Sequence, residues 1–315
     1  MKAIGLTNYG GPEVLRPIEL PLPEVGPGEV RIRVRAAAVN PVDTIIRAGH
    51  FAGKDGAIPV AVVPGMDVAG TIDAIGPDQP AGFDLEVGDP VIGFIVPDGT
   101  HGGYSQQIVL PSESLTRKPP TLTFPEAASF LSNALTAEIA LEALNLKPGA
   151  TLAVTGATGA VGGYLVELAS QRGLVVIASA SAAEKDLVQG FGASIVLDRD
   201  ADFAAGVRVA TEGVGVDALA DPAILTDQVI DAVTDGGQIA FFLPTDVEPG
   251  RGISVFRSYV MQSSRRHDVI ERLARLAGDG KISLRVAGRY PAVDAAESHR
   301  RLEEGSLRGR SILEF

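Results

Sequence analysis

A glycine-rich segment near the middle of the chain constrains the fold more than any other part of the sequence. The stretch LAVTGATGAVGGYLVELASQRGLVVIASAS, residues 152–181, has the pattern of a buried strand, a glycine-rich turn, a helix and a second buried strand. Gly156, Gly159 and Gly162 follow the spacing G-x-x-G-x-x-G. Small residues at such a turn let backbone N–H groups approach a pyrophosphate at the helix N-terminus. The segment therefore predicts dinucleotide binding, with a tight turn that binds no ligand as the alternative.

The end of the second strand predicts which dinucleotide binds. An NAD site would place a carboxylate there to accept the ribose 2′-hydroxyl, and residues 178–181 provide none. The hydroxyls of Ser179 and Ser181 can instead donate to a 2′-phosphate, and Lys185 supplies a cation one turn further on. The pattern therefore favours NADPH as the cofactor. In the alternative interpretation, Ser181 caps the next helix with Glu184 as its capping-box partner, and Lys185 is solvated.

The order of predicted strands and helices divides the chain into two kinds of structure. In the first third, short runs such as EVRIRVRAAAV, residues 29–39, alternate apolar and charged positions and predict a small β-barrel or sandwich. From about residue 122, helical segments alternate with buried strands, which predicts a parallel sheet with right-handed crossovers. The end of the chain returns to the first pattern. We therefore predict an α/β protein whose chain leaves a β-rich domain, builds a second domain and returns.

The composition excludes several classes of protein. The chain has 315 residues, of which 45% are hydrophobic and 21% are charged, enough to bury the cores of two domains. A net charge of −12 repels phosphates and argues against sequence-independent binding to nucleic acid. Apolar runs stay shorter than a signal peptide or a membrane span, so we expect a cytoplasmic protein without a membrane partner. The absence of cysteine excludes disulfides and thiolate metal sites.

Several segments occur in an order that resembles a known superfamily. They are NPVDTIIRAG from residue 40, PGMDVAGTIDAIG from 64, VGDPVIGF from 87, HGGYSQQIVLP from 101, LTA from 135 and TGATGAVGG from 155. This order is similar to that of the medium-chain dehydrogenase/reductase superfamily, and more narrowly to its zinc-independent quinone oxidoreductase branch. The resemblance covers almost the whole chain.

The resemblance implies a GroES-like catalytic domain formed by residues 1–120 and 285–315. An inserted Rossmann domain, residues 121–284, would bind NADPH on a doubly wound parallel sheet. The implied reaction is the reduction of a quinone, and the alternative is the reduction of an enone or enoyl compound. A hypothesis of a different class is that the protein is an NADPH-binding sensor with low turnover. Because Rossmann sheets in this family often pair edge to edge, the β-branched and aromatic residues of 252–262 predict a homodimer.

The positions of zinc ligands in related enzymes are changed in this chain. In zinc-dependent relatives a cysteine occupies the position of Asn40, and Gly-His-Glu occupies residues 65–67. Here Met66 replaces the histidine, and the four histidines of the chain are scattered. Neither a catalytic nor a four-thiolate structural zinc can be assembled on the expected pattern, so no metal is predicted. Without a metal to polarise a carbonyl, the favoured chemistry is hydride delivery to an acceptor that needs less activation.

The resemblance also assigns residues to the site. It implies that Asn40 faces the nicotinamide and the substrate and that Asp43 organises the same loop. An Asn-Pro turn and a purely structural hydrogen bond are the alternatives for these two residues. The implied loop around the pyrophosphate consists of Thr158, Gly159, Ala160 and Val161. Thr136 would lie beside the cofactor, and Phe242 and Leu243 would border the nicotinamide ribose. For these last three residues, packing is the alternative role.

Some positions depart from the family pattern. Bacterial quinone reductases of this branch often carry tyrosines at the positions of Ile45 and Phe51, which here become apolar candidates for the substrate pocket. The proton donor is therefore unassigned, with water as the default. The family's tyrosine near the 2′-phosphate aligns with Asp198, which makes its neighbour Arg199 the candidate cation. Tyr104 is a candidate acid, although its position at the start of a strand favours packing.

Overall fold

The computed structural model describes residues 1–53, 56–305 and 307–315, and the chain divides into two compact units. Stretches before and after one long insertion build the first unit, and that insertion supplies nearly all of the second. The first unit consists of Met1–Ser132, Ser264–Gly280 and Leu284–Phe315, and the second of Asn133–Ser263 and Lys281–Ser283.

Both units contain strands and helices, which are numbered in chain order. The strands are β1 Lys2–Gly5, β2 Arg16–Glu19, β3 Glu29–Val39, β4 Asp67–Ile75, β5 Pro90–Phe94, β6 Gln107–Pro111, β7 Leu115–Arg117, β8 Thr151–Val154, β9 Val175–Ala180, β10 Ile195–Asp198, β11 Val216–Asp221, β12 Val233–Phe241, β13 Ser254–Arg257, β14 Val286–Pro291 and β15 Arg310–Glu314. The helices are α1 Pro41–Ala48, α2 Phe124–Ala128, α3 Leu131–Leu144, α4 Ala160–Gln171, α5 Lys185–Gly190, α6 Phe203–Ala210, α7 His267–Gly278 and α8 Ala295–Glu303.

The large sheet of the first unit is built around β3. Val30, Ile32 and Val34 of this strand are buried, whereas Arg33 and Arg35 are exposed, so the predicted alternation is confirmed. β3 pairs antiparallel with β4, β6 and β15. The sheet order is β14-β15-β3-β4-β5-β7, with β6 paired to β3. The strand β15 comes from the end of the chain, which explains why the last residues resemble the first third in pattern.

The sheet of the second unit is parallel, with strand order β10-β9-β8-β11-β12-β13. The chain moves outward from β8 to β10 and then returns to β11 on the other side of β8. Such a reversal creates a switch point, and ligands of doubly wound sheets bind there at the carboxyl ends of the strands. The predicted α/β fold with a Rossmann domain is therefore confirmed.

Helix α7 belongs to the first unit by its contacts. Its apolar face is buried and the helix packs against β7. The sequence pattern groups this helix with the alternating helices and strands that precede it, because periodicity does not reveal which sheet a helix covers. The domain boundaries at residues 121 and 284 stay predictions.

A helix that crosses a lipid bilayer must be both long and predominantly apolar. None of the helices in the described part of the chain combines the length and the apolar composition needed to cross a membrane.

Candidate functional site

The glycine-rich turn lies between β8 and α4, as the sequence predicts. A Cβ added at Gly162 would lie 2.1 Å from the carbonyl oxygen of Gly156, so only glycine allows the helix to approach the strand end this closely. Gly159 is exposed and is the N-cap of α4. A Cβ added at Gly159 would meet the carbonyl oxygen of Gly156 at 3.2 Å and, apart from the chain neighbours of Gly159, no other atom of the described residues within 4 Å. No side chain in the described part of the chain therefore covers Gly159, while its own N–H donates to the carbonyl oxygen of Gly156 at 2.9 Å.

This turn fits the pyrophosphate of a dinucleotide. The first N–H groups of an α-helix lack partners within the helix and carry partial positive charge, so they bind phosphate oxygens. Ala160 and Val161 form the first turn of α4 and are half-buried, and Thr158 just before them is buried. The predicted loop residues thus share one helix N-terminus. Thr136 lies in α3 and is half-buried.

A buried hydrogen-bond network that the sequence analysis missed joins the carboxyl ends of β8 and β11. Thr155 Oγ1 donates to Asp221 Oδ1 at 2.6 Å and accepts from the backbone N–H of Ala223 at 3.1 Å. Asp221 Oδ2 accepts from the backbone N–H of Thr226 at 2.8 Å. The network holds the loop after β11 beside the glycine turn at the switch point. Its only sequence signal is an aspartate directly after the buried strand GVDALA.

At the end of β9 the structure brings Ser181 together with two charged residues. Ser181 Oγ donates to Glu184 Oε2 at 2.7 Å, and Arg199 Nη1 lies 3.4 Å from the same oxygen. The backbone N–H of Arg199 donates to Ala180 O at 3.0 Å. Ser181 is therefore bonded to the side chain of Glu184, but its own side chain makes no cap hydrogen bond to the backbone, so the capping box of the alternative interpretation is not formed. A carboxylate does lie beside this strand end, although it comes from Glu184 and not from residues 178–181.

The remaining predicted cofactor residues differ in exposure. Ser179 lies within β9 and is buried, whereas Lys185 begins α5 and is exposed. Phe242 and Leu243 directly follow β12; Phe242 is half-buried and Leu243 is exposed. Among the predicted ligands of the 2′-phosphate, Ser181 and Arg199 are brought together around Glu184.

In the first unit, Asn40 and Asp43 lie at the start of α1. Asp43 Oδ2 accepts from the backbone N–H of Asn40 at 2.7 Å, and Asn40 Nδ2 donates to Asp67 Oδ2 at 2.8 Å. Asp67 also accepts from the backbone N–H and the hydroxyl of Ser132, at 2.7 and 2.6 Å. All four residues are buried. Burial raises the pKa of Asp67, against the effect of the donors from Ser132 and Asn40. These bonds fix the orientation of the Asn40 amide.

Asp43 is enclosed by hydrogen-bond donors. Besides the N–H of Asn40 it accepts from the backbone N–H of Gly65 at 2.9 Å and from the hydroxyl of Tyr104 at 3.2 Å. Burial raises the pKa of Asp43 to about 7, helped by the charge of Asp67 and opposed by the three donors. Tyr104 is fully buried in the apolar core, and its hydroxyl is bound to Asp43 inside that core.

His299, which the sequence analysis did not single out, completes this cluster. Its Nε2 lies 3.0 Å from Tyr104 Oη, and its Nδ1 lies 3.2 Å from Arg47 Nη1. Arg47 also pairs with Glu303. Burial lowers the pKa of His299 to about 3, and the charge of Arg47 contributes. No local sequence signal connects these residues, because His299 lies 252 positions beyond Arg47.

The two residues predicted to line the substrate pocket lie in and just beyond α1. Ile45 is half-buried in α1, and Phe51 follows the helix with 62% of its surface exposed. Both are thus close in sequence to Asp43, and the ring of Phe51 is accessible to a ligand.

The side chains around Asn40 differ from the zinc ligands of related enzymes. Met66, at the position of the histidine in zinc-dependent relatives, is buried. Both ring nitrogens of His299 are engaged, one by Arg47 and one by Tyr104. Within the residues that the structure describes, no group of three or more His, Cys, Asp or Glu side chains could hold a metal ion. The ligand pattern of zinc-dependent relatives is therefore not reproduced among the described residues.

Two protein families match parts of the chain. The alcohol dehydrogenase GroES-like domain matches residues 26–120, which include the Asn40 loop and the central strands of the first unit. The zinc-binding dehydrogenase family matches residues 191–313, which begin before β10 and reach into β15.

Several curated proteins are similar in sequence. The chain is 31% identical to the human synaptic vesicle membrane protein VAT-1 homolog-like over 219 residues, 69% of this chain and 50% of that protein, so it spans half the length of this relative. It is 29% identical to mouse quinone oxidoreductase over 99% of this chain and 97% of that protein. It is 27% identical to the NADPH-dependent alkenal/one oxidoreductase of Arabidopsis thaliana chloroplasts, over 99% of this chain and 79% of that protein.

Solved structures show the same fold over the full chain. An NAD-dependent alcohol dehydrogenase is 30% identical and superposes with a TM-score of 0.87, covering 100% of both chains. A mycobacterial protein complexed with NADPH is 29% identical, with a TM-score of 0.83 and 100% coverage of both chains. The pyridine nucleotide binding fold is therefore shared, while one of these neighbours is NAD-dependent and the other is complexed with NADPH.

Proposed function

The chain belongs to the medium-chain dehydrogenase/reductase superfamily, in its quinone oxidoreductase branch, and on that premise we propose that it is an NADPH-dependent oxidoreductase that reduces quinones without zinc. The observation that carries the proposal is the Asn40 side chain. It stands where zinc-dependent relatives have a cysteine ligand, and it is bound by Asp67. A metal in such a site would polarise a carbonyl, and an electron-poor quinone accepts a hydride without that help.

The nucleotide is assigned to the turn before α4. The backbone at Gly159, Ala160 and Val161 binds the pyrophosphate, because the helix N-terminus attracts anions. Gly156 and Gly162 allow the close approach of strand and helix that forms the turn. When bound, NADPH supplies the hydride for the reaction. We assign the contacts to its nicotinamide half to Thr136, Phe242 and Leu243.

The choice of NADPH over NADH is assigned to the end of β9. Hydroxyl donors and cations bind phosphate well, and Ser179, Ser181, Lys185 and Arg199 supply both kinds of group. Similarity to the mycobacterial protein complexed with NADPH and to the NADPH-dependent reductase of Arabidopsis supports this assignment. The similarity to an NAD-dependent alcohol dehydrogenase and the carboxylate of Glu184 favour NADH, so the ratio of the two affinities is the direct test.

Asn40 and Asp43 are proposed to shape the reaction site. Because its Nδ2 is bound to Asp67, Asn40 presents its amide in one orientation to the nicotinamide and the substrate. Asp43 holds the backbone of the same loop. Ile45 and Phe51 provide an apolar surface for the quinone ring. One hydride and one proton convert the quinone to a hydroquinone, and we assign the proton to water, since Ile45 and Phe51 replace the tyrosines of related enzymes.

A second candidate function is reduction of an enone. The similarity to an alkenal/one oxidoreductase along 99% of this chain supports it. The apolar side chains of Ile45 and Phe51 accept either substrate, because they select for shape and not for a pattern of polar groups. The loss of the tyrosines supports a third candidate, an NADPH-binding sensor with little turnover.

A titration with NADPH and NADH, followed by stopped-flow mixing with a benzoquinone or an enone, separates these candidates. Tight NADPH binding with rapid, quinone-dependent oxidation of the nucleotide supports the first function. Faster oxidation by the enone favours the second. Saturable binding without oxidation by either compound favours the sensor.

We also propose a homodimer formed through β13. This strand is the outer strand of the six-stranded sheet, beyond β12, and an outer strand offers backbone groups to a second copy. Light scattering that finds a dimer at working concentration supports the proposal, and a monomer at that concentration rejects it.

A further inference from the structure

A chain of buried hydrogen bonds leads from Asp43 into the first unit. The hydroxyl of Tyr104 is 3.2 Å from Asp43 Oδ2 and 3.0 Å from His299 Nε2, and Arg47 Nη1 is 3.2 Å from His299 Nδ1. These four side chains are buried. Beyond Arg47 lies Glu303, whose side chain is 41% exposed. The chain thus connects the loop of Asn40 to the surface.

The direction of every bond in this chain can be derived from its last member. A guanidinium group only donates hydrogen bonds, so His299 Nδ1 must accept from Arg47. A neutral imidazole whose Nδ1 accepts carries its proton on Nε2, which then donates to Tyr104 Oη. The hydroxyl proton of Tyr104 is left for Asp43. All the bonds therefore point toward the Asp43 carboxylate.

The two middle members do not exchange protons near neutral pH. Burial, with the charge of Arg47, lowers the pKa of His299 to about 3, so the imidazole stays neutral. Burial, with the carboxylate of Asp43, raises the pKa of Tyr104 well above its usual value, so the phenol stays protonated. This chain of hydrogen bonds accordingly stabilises the Asp43 carboxylate and does not transfer a proton.

A proton on the facing oxygen of Asp43 would reverse the chain. Tyr104 would have to turn its own proton to His299, which would move the imidazole proton to Nδ1. That proton would then face the donors of Arg47, and two donors in contact repel each other. Through this chain, the donors of Arg47 therefore oppose protonation of Asp43, whereas burial and the nearby carboxylate of Asp67 favour it.

The Asp43 carboxylate joins two loops. It accepts from the backbone N–H of Asn40 and from that of Gly65. A Cβ at Gly65 would lie 2.6 Å from Tyr104 Cδ1, so the tyrosine ring packs directly on this backbone. The loop that carries Asn40 and the loop of Gly65, which leads into Asp67 at the start of β4, are thus both held by Asp43 and Tyr104.

We propose that Tyr104, His299 and Arg47 are positioning residues that favour the carboxylate form of Asp43 and thereby hold the backbone of the loop that carries Asn40. The inference rests on the proposed function for the role of Asn40. It adds to that function a set of residues that touch neither nucleotide nor substrate and act through Asp43.

The test is a direct titration of Asp43 by NMR in protein labelled with ¹³C-aspartate, with the resonance assigned by Asp43→Asn. In Tyr104→Phe the hydroxyl donor is lost, and we expect the midpoint of Asp43 to rise by about one pH unit. His299→Leu should also raise the midpoint of Asp43, because leucine cannot donate to Tyr104. His299→Gln retains an N–H donor and gives a smaller rise. Tyr290→Phe is the matched control and leaves the midpoint unchanged, because Tyr290 is partly buried against the same apolar core but lies outside the chain of bonds.

A kinetic measurement tests the same point. In these variants, the fall of kcat for quinone reduction on the acid side should move to higher pH together with the Asp43 midpoint. An unchanged Asp43 midpoint in both Tyr104→Phe and His299→Leu overturns the proposal, whatever the activity. If no quinone or enone is reduced, the proposed function fails while the NMR midpoints still decide the positioning role. Should Tyr104→Phe not fold, the comparison of His299→Gln with His299→Leu decides it.

Discussion

The hydroxyl of Ser181 donates a hydrogen bond of 2.7 Å to the carboxylate of Glu184, and this carboxylate also faces the guanidinium of Arg199 at 3.4 Å. A negative charge therefore lies at the strand end where the 2′-phosphate of NADPH is expected. The phosphate would be repelled by Glu184 and attracted by Arg199 and Lys185. The balance of these charges decides which nucleotide the protein prefers.

Glu184→Gln tests that balance. Glutamine retains an acceptor for the Ser181 hydroxyl, removes the negative charge and releases Arg199 from the ion pair. We expect the Kd for NADPH to fall about five- to tenfold, as expected for a change of roughly 1 kcal/mol in a partly screened charge interaction. Isothermal titration calorimetry checks this, with Lys185→Ala and Arg199→Ala expected to weaken NADPH binding. If Glu184→Gln instead weakens NADH and leaves NADPH unchanged, Glu184 binds the ribose and NADH is the cofactor.

Gly162→Ala tests the close approach between α4 and the end of β8. The added Cβ would lie 2.1 Å from the carbonyl oxygen of Gly156, and a backbone oxygen cannot move aside easily. We expect the free energy of unfolding to fall by about 1–3 kcal/mol and NADPH binding to be lost or weakened at least tenfold, because the turn must open.

The matched control for this substitution is Gly190→Ala in α5. A Cβ at Gly190 meets nothing within 4 Å among the described residues, and alanine favours a helix over glycine. Urea unfolding should show equal or greater stability for Gly190→Ala and lower stability for Gly162→Ala. Equal stabilities of the two variants would contradict the packing argument.

The features that the sequence predicted correctly are local ones. The alternation in β3 and the strand, turn and helix around Gly159 depend on residues within a few positions of each other. Their hydrogen bonds and packing are fixed by that spacing, so the α/β fold with an inserted Rossmann sheet follows from the pattern.

The features that the sequence did not predict depend on distant pairs. Tyr104 meets His299 across 195 positions, and Thr155 meets Asp221 across 66. A buried tyrosine or histidine looks the same in a sequence whether it fills space or binds a carboxylate. The sequence offered the carboxylate at the end of β9 only as the capping-box partner of Ser181 and not as a charge beside the 2′-phosphate. Glu184 lies beyond the strand end, and its side chain reaches back to Ser181.

Asn40→Ala and Asn40→Asp test the role of the amide that Asp67 orients. Alanine removes the Nδ2 donor, and we expect kcat for quinone reduction to fall about tenfold or more while the Kd for NADPH changes less than about twofold. Aspartate has the same shape but places a second carboxylate against Asp67, so its kcat should be low at pH 8 and recover partly as the pH falls. Stopped-flow oxidation of NADPH checks both variants. If Asn40→Ala retained the kcat of the wild type, the role of Asn40 would be limited to forming the Asn-Pro turn.

His299→Gln tests the buried neutral imidazole through the stability of the fold. The pKa of His299 is lowered from its ordinary value of 6.5 to about 3, so between these values the unfolded chain binds a proton that the folded protein does not. This contribution to stability is fully present above pH 6.5 and is lost as the pH falls toward 3. Glutamine does not titrate. Between pH 7 and pH 5, urea unfolding should therefore show the wild type losing about 2 kcal/mol more than His299→Gln. The exposed His267 provides the control, and His267→Gln should follow the wild type. Equal losses in wild type and His299→Gln would mean that the folded protein protonates His299 as readily as the unfolded chain does, and His299 Nδ1 could then not accept the hydrogen bond assigned to Arg47.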